Sequence, residues 1–456
     1  MSTKPDFLKI SKLKQKPACM APWTNLYAKV TPTGYNAKVC CVSEDSVDVK
    51  NISEYLESDM LKETTSALEK GQLPPGCIRC KKDFDNDPAW EVYEQEILKV
   101  KRKNKILNDK KDYESLDVND LKKILKNDDD KFIQIDLRPG NLCNLKCRMC
   151  NASSSTEIAK EGLKILDDTE FVDKLQKADP SASHLGYSYS KEYHTKYTKD
   201  YTKSDEHREK INKIFEYANL RRLKLLGGEP SIDPAIISTM EDLKQNKFKL
   251  GDGFRLQITT NMTNINKNWL DYFKYFNAKV TASIDGAGRT FEYIRYPAKW
   301  STIKKNLEVV ATDESHDLSM NLVMSSILFL DIKHWIPELN ALALQKNFKL
   351  NFIECFYPTY MMPNTIPYEY RLKILDDIKQ LMNYDLSSNI RVFLIKCREY
   401  LESLLDQREV DINLLRTFFL INMKHDQLRK QNIFDINYTK DIYEQYEVEK
   451  LNDRSK

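Results

Sequence analysis

The sequence has no run of about 18 apolar residues, the length a helix needs to cross a bilayer. Its opening MSTKPDFLKISKLKQKP lacks the apolar core of a secretory signal. Both absences point to a cytoplasmic protein with no membrane association. Nor is there an excess of one charge. Lys and Arg total 71 and Asp and Glu 68, a formal net charge of +3 over 456 residues. The basic footprint of a dedicated nucleic-acid binder is therefore missing. Histidine is scarce and scattered at 184, 194, 207, 316, 334 and 425, with no metal-ligand spacing. There are no internal repeats.

What the chain does have is cysteine, ten residues of it, eight in the first third. In a reducing compartment such cysteines are not expected to form a disulfide framework, and thiolate–metal chemistry is the leading explanation. Cys355 and Cys397 lie apart and read as ordinary buried thiols. The length exceeds what one hydrophobic core serves, so two or three domains are expected. A hydrophobic fraction of 41% is enough to build them.

From Phe132 onward, β-type runs alternate with amphipathic helical patterns. The runs are FIQIDL, LRRLKLL, FRLQITTN, KVTASID, MNLVMSSIL and LNFIEC. Stretches such as PAIISTMEDLKQN and NKNWLDYFKYF lie between them. Six strands, each followed by a helix, imply an α/β fold with a parallel sheet curled into part or all of a (β/α) barrel. Its chemistry belongs at the C-terminal strand ends. The sequence divides into a cysteine-bearing segment at 1–130, the alternating unit at 131–367 and a helical region at 368–456. The insertion YSYSKEYHTKYTKDYT, Tyr187 to Thr202, interleaves Tyr with Lys and reads as a solvated loop or a substrate-contacting lid.

GNLCNLKCRMC follows the first of these strands and carries Cys143, Cys147 and Cys150. Spacings of three and two residues let a compact loop aim three thiolates at one point. Its backbone N–H groups can hydrogen-bond the sulfurs, and a helix starting near Ser153 to Glu157 places its positive end beside an anionic centre. A zinc ion completed by a borrowed histidine is the alternative. LLGGEPSI closes the second strand, where Gly227 and Gly228 allow close backbone approach and Glu229, before Pro230, suits an ammonium group. A plain strand-to-helix turn is the bland reading. TTN, containing Thr260 and Asn261, and SIDG, containing Ser283 and Asp285, close the third and fourth strands. Arg295 in YIRYP is a plausible carboxylate partner.

Together these motifs resemble the radical S-adenosylmethionine (radical SAM) superfamily. The resemblance implies a partial (β/α)6 TIM-like barrel. Cys143, Cys147 and Cys150 would hold three irons of a [4Fe-4S] cluster, and the amine and carboxylate of SAM would chelate the fourth. Gly227 to Pro230 would hold the methionine amine, and Thr260, Asn261, Ser283, Asp285 and Arg295 would supply further contacts. Met149 stands where many members carry an aromatic residue against the adenine, so apolar packing would replace stacking there. The adenine contact often found near the end of the fifth strand stays unassigned, because MSSILFLD offers Ser325 and Ser326 but no Asn.

CMAPW, GYNAKVCC and LPPGCIRC form a second constellation: Cys19, one of Cys40 and Cys41, Cys77 and Cys80. Gly34 reads as a hairpin turn, and a zinc ribbon is a competitor on chemistry alone. The arrangement resembles the SPASM or shortened twitch module, placed before the core. That resemblance implies an auxiliary [4Fe-4S] cluster, with Cys40 the preferred of the adjacent pair. It also implies a radical SAM enzyme that cleaves SAM reductively, receives its electron from a donor such as flavodoxin or ferredoxin, and abstracts hydrogen from a substrate. A peptide leads, with a sugar or nucleotide metabolite behind it. The rivals are a non-catalytic iron–sulfur or zinc-binding protein and a SAM methyltransferase.

Overall fold

The computed structural model describes residues 19, 21–77, 132–179, 189–313, 316–346 and 348–448. Cys80 and the charged stretch ending at Asp130 lie outside them. The chain divides into two compact units, Met1–Gly140 with Tyr201–Ile258, and Asn141–Asp200 with Thr259–Lys456.

In the first unit, β1 (Asn25–Thr31), β2 (Gly34–Lys38) and β3 (Val47–Val49) precede β4 (Phe132–Arg138), β5 (Ala218–Leu225) and β6 (Leu250–Thr260). The strand order is β3-β2-β1-β4-β5-β6. Gly34, at a φ of 147°, makes the expected hairpin between β1 and β2. A side chain there would strike the Val49 carbonyl, so glycine is required twice over. Beyond the hairpin expectation, β1 pairs parallel with β4 from Asn25↔Gln134 to Lys29↔Arg138. The first strand of the cysteine-rich segment covers what would otherwise be the open edge of β4, and unpaired edges invite association. β4, β5 and β6 run parallel. One face of these strands is apolar, with Ile133, Ile135, Leu137, Leu223, Leu225, Leu256 and Ile258 buried; the other face carries polar side chains.

In the second unit, β7 (Lys279–Ser283), β8 (Asp317–Met324) and β9 (Lys349–Glu354) also pair parallel. All six expected core strands form. The run MNLVMSSIL is strand only to Met324, because Ser325 caps a helix by accepting from Leu328 N at 3.4 Å. The C-terminal region is helical, with helices Tyr368–Leu381, Ser388–Ser403 and Ile412–Arg429. Contacts place it within the second unit. Cys355 and Cys397 are buried. Burial pushes the Cys355 thiol up to about 12 and the Cys397 thiol well above its ordinary value. Among the described residues, no helix is long and apolar enough to cross a membrane.

Candidate active site

A loop that must present three thiolates cannot be a regular element, so its backbone groups need partners from elsewhere. The loop after Asn141 finds them throughout the second unit. Lys146 N donates to Tyr296 O at 2.7 Å and Arg148 N to Ile294 O at 3.0 Å. Ser155 Oγ donates to Leu145 O at 2.8 Å while capping the helix Thr156–Leu166, so one hydroxyl ties loop to helix. Asn141 is buried and donates to Ala152 O at 3.0 Å and Tyr197 O at 2.8 Å.

Arg148 stands between Cys147 and Cys150 and is 1% exposed. Its guanidinium lies 3.7 Å from the Tyr293 ring centroid. It donates to Tyr293 O at 3.0 Å, Asn422 Oδ1 at 2.8 Å, Gln431 Oε1 at 3.0 Å and the Asp426 carboxylate. Asn422 and Asp426 belong to the helix Ile412–Arg429, so the C-terminal helix is part of the cysteine loop's support. On the same helix, Arg429 pairs with buried Glu161, which also lies 3.7 Å from Lys146 Nζ. Burial drives His425 well below its ordinary value, with Arg429, Arg148 and Lys146 adding to the effect.

Cys143, Cys147 and Cys150 are each half-buried. Arg295 donates to Cys147 Sγ at 3.7 Å and pairs with Asp285 at 2.7 Å. Asp285 is fully buried, and its other oxygen accepts from Val323 N at 2.9 Å. Burial raises the Cys147 thiol, and Arg295 opposes it by favouring the thiolate. For Arg295, burial works downward, but Asp285 and then Cys147 outweigh it and the net direction is up. The pair thus keeps a fixed cation against one sulfur.

Asn261 Nδ2 donates to Asn144 Oδ1 at 2.9 Å, and Asn144 Nδ2 donates to Thr263 Oγ1 at 2.9 Å. The TTN motif therefore holds the cysteine loop directly. Buried Thr260 accepts from Met262 N at 3.1 Å. Ser283 and Met149 are half-buried.

In the first unit, Gly227 takes a φ of 135°, and a Cβ there would stand 3.3 Å from Gly140 O. Gly228 N donates to that same oxygen at 3.2 Å, fastening GGEP to the end of β4. Glu229 is buried and accepts from Ser231 N at 3.1 Å, capping the short turn of Pro230–Ile232. Of the N-terminal cysteines, Cys40 is buried and lies near Tyr55, whereas Cys41 is half-buried with Lys224 Nζ 3.9 Å from its sulfur. Glu44 N donates to Gly76 O at 2.8 Å, drawing the segment before Cys77 to the turn after Cys41.

Over its described part the Tyr/Lys insertion is a short helix and turn with a solvated side, carrying exposed Lys191, Lys196 and Lys199, and a packed side at His194. Lys191–Lys196 is helical, and His194 is buried so closely that a Cβ on Gly162 would lie 2.2 Å from its ring. Tyr193 neighbours Ser153 and Cys150, and burial raises its hydroxyl.

Sequence reasoning missed Asn144, Arg148, Asp426 and Thr263, which act through nonlocal contacts. The one available signal was a helix, TFFLINMKHDQLR, whose polar residues fall among its apolar ones.

Among the described residues, no three His, Cys, Asp or Glu side chains converge on the position of a single metal ion. A cubane takes its thiolates on different irons and does not require that convergence. Three half-buried cysteines on a braced loop, one sulfur receiving a guanidinium N–H, fit an anionic iron–sulfur cluster.

Residues 137–323 match the family model described as the Radical SAM superfamily. No curated protein matches the chain. Among solved structures, the chain is similar to histidine-tagged anSMEcpe with bound AdoMet, at 17% identity and a TM-score of 0.36 over 54% of this chain and 57% of that one. It is similar to native anSMEcpe with bound AdoMet and Cp18Cys peptide, at 16% identity and 0.33 over 55% and 61%. A third is Streptococcus suis SuiB bound to precursor peptide SuiA, at 11% identity and 0.33 over 80% and 70%. The chain spans from 57% to 61% of the length of the anSMEcpe structures.

Proposed function

We propose, from the premise that residues 137–323 are a radical SAM superfamily domain, that this protein is a radical SAM enzyme acting on a peptide. The observation that carries the reading is the braced loop of Cys143, Cys147 and Cys150 with Arg295 donating to Cys147 Sγ. When bound, a [4Fe-4S] cluster and SAM supply one-electron cleavage of the sulfonium to methionine and a 5'-deoxyadenosyl radical that abstracts hydrogen.

The chain's own residues would divide the work. Cys143, Cys147 and Cys150 hold the cluster as thiolates. Arg295 stabilises the charge on Cys147, and Asp285 keeps that guanidinium oriented. A ligand carboxylate at Arg295 would share it with Asp285, so Arg295 serves the sulfur first. Asn261 keeps Asn144, and with it the loop, in place. Gly227, Gly228 and Pro230 shape the GGEP turn whose Glu229 is assigned to the methionine amine, while Thr260 and Ser283 offer polar contacts and Met149 an apolar one. Cys19, Cys40, Cys77 and Cys80 are assigned to an auxiliary [4Fe-4S] cluster. A one-electron carrier such as flavodoxin or ferredoxin is the expected donor.

Anaerobic reconstitution with iron and sulfide, followed by SAM and a strong reductant, tests this reading. 5'-Deoxyadenosine should form; its absence from protein that has bound iron rejects the radical reading. Two cubanes give about eight irons per chain and one gives about four.

A further inference from the structure

The Tyr/Lys insertion has no task in the reading above, yet it is fastened to the cysteine loop and to the helix that follows it. Asn141 Nδ2 donates to Ala152 O at 3.0 Å, just after Cys150, and also to Tyr197 O at 2.8 Å, at the end of the insertion helix. Buried His194 packs on Gly162 of the helix Thr156–Leu166. Lys191 Nζ lies 2.6 Å from Asp167 at the end of that same helix. Both members of this last pair are exposed, so the first two contacts do most of the holding.

They fix Tyr193 where it can reach the loop. Its backbone N–H donates to Ser190 Oγ at 3.1 Å. Its half-buried ring meets Tyr197 and His194 edge-on, at centroid distances of 5.1 and 5.5 Å. The hydroxyl is bonded by Ser153, of the turn Ala152–Ser154, and Cys150 stands beside it. Phenylalanine would fill the same space without a hydroxyl to desolvate, so the hydroxyl calls for a use. An oxygen that accepts from Ser153 still has its own proton to give. As a thiol, Cys150 donates to Asn151 O at 3.7 Å. As a thiolate on iron it has no proton and can only accept, and Tyr193 is a hydroxyl at hand.

We propose that Tyr193 is a positioning residue of the cluster site, its hydroxyl donating to the Cys150 thiolate and raising the reduction potential of the cluster. The inference rests on the iron–sulfur reading of the triad. A hydrogen bond to a cluster sulfur stabilises the more negative, reduced state, which fixes the direction of the effect. Cys147 receives a charged donor from Arg295; Cys150 would receive a neutral one from the opposite end of the motif.

The test is anaerobic redox titration of the full reconstituted protein, followed by electron paramagnetic resonance of the reduced state. The wave belonging to the triad is the one lost when Cys143, Cys147 and Cys150 are together replaced with Ala; loss of none overturns the proposal and the cluster assignment with it. Tyr193→Phe should lower the ratio of reduced to oxidised triad cluster about tenfold at a fixed potential, a shift of about 59 mV to more negative values for a one-electron couple. Tyr189→Phe removes an insertion hydroxyl that is used on Asp179 O at 2.9 Å, and should leave the wave in place. An unmoved wave in Tyr193→Phe, or an equal shift in Tyr189→Phe, overturns the proposal. Should Tyr193→Phe load no iron, 3-fluorotyrosine at the same position keeps the shape and offers a more acidic hydroxyl. It should move the wave to more positive values, and a wave that stays or moves the other way overturns the proposal. 5'-Deoxyadenosine formation separates the two readings. Product with an unmoved wave sinks this inference alone, whereas a moved wave without product sinks the radical reading alone.

Discussion

The two cysteine constellations are built in opposite ways. Cys143, Cys147 and Cys150 fall within eight consecutive residues, and their loop is fixed by contacts reaching as far along the chain as Asp426 and Gln431. Cys19, Cys40 and Cys77 come from three separate segments; a hairpin turned at Gly34 precedes Cys40, and a bond from Glu44 N to Gly76 O holds the residue before Cys77. At Gly76 even a methyl group would collide with Asp45. A compact ligand set needs outside bracing because its loop has no ladder of its own. A dispersed set would depend on secondary structure to assemble, and the segment junction at Gly76 tolerates little extra bulk.

The largest expected difference between them is chemical. Replacing Cys143, Cys147 and Cys150 together with Ala should abolish 5'-deoxyadenosine and remove about four irons per chain, leaving the auxiliary iron. An unchanged iron count would show that the triad is not a cluster site. Within the N-terminal set, Cys40→Ala should remove the auxiliary iron, while Cys41→Ala should leave the count intact; the reverse result exchanges their roles.

Next in size is the bracing. Asp426→Ala would leave Arg148 buried beside Tyr293 without its counter-ion, a change costing about 3–5 kcal/mol for a buried pair. Denaturant midpoints read the loss, and absorbance of the reconstituted protein should show the site-differentiated cluster becoming labile. A stability unchanged by the substitution refutes the clamp.

A smaller effect is set by pH. Burial, reinforced by Arg429, Arg148 and Lys146, depresses His425 in the folded state. The unfolded chain binds a proton below about 6.5 that the folded chain refuses. This contribution to stability is complete above that pH and is lost as pH falls, with a slope approaching about 1.4 kcal/mol per unit. Melting temperatures from pH 7.5 down to 5.5 should decline less in His425→Gln. Smallest is Asn144→Ala, which removes two hydrogen bonds from an exposed side chain and should cost about 1 kcal/mol, read as a modest shift in thermal midpoint.

Much of the second unit could be read in advance. KVTASID and LNFIEC are β-branched and apolar enough to declare strands, and amphipathic stretches such as NKNWLDYFKYF follow helical period, as the helix Lys267–Tyr275 shows. The three close-spaced cysteines stand out as a candidate triad by their spacing. Arg148 does not, because in CRMC it looks like a spacer, and its importance depends on Asp426, 278 residues away. In the insertion at 187–202 the lysines face solvent as their chemistry suggests, and what no local pattern foretold is that His194 packs against Gly162.

The sequence by itself determined the candidates for chemistry, the three close-spaced cysteines and the GGEP turn, and a set of strands able to carry them. Those features are local, written in spacing and in side-chain period. Only the tertiary structure decided that β1 completes the edge of β4, that Arg295 serves Cys147 and Asp285 together, that the C-terminal helix clamps the cysteine loop, and that the insertion helix is fastened beside it. Each of these depends on pairing and burial between segments far apart in the chain, and no local pattern encodes which distant partner will satisfy a buried charge or an open strand edge.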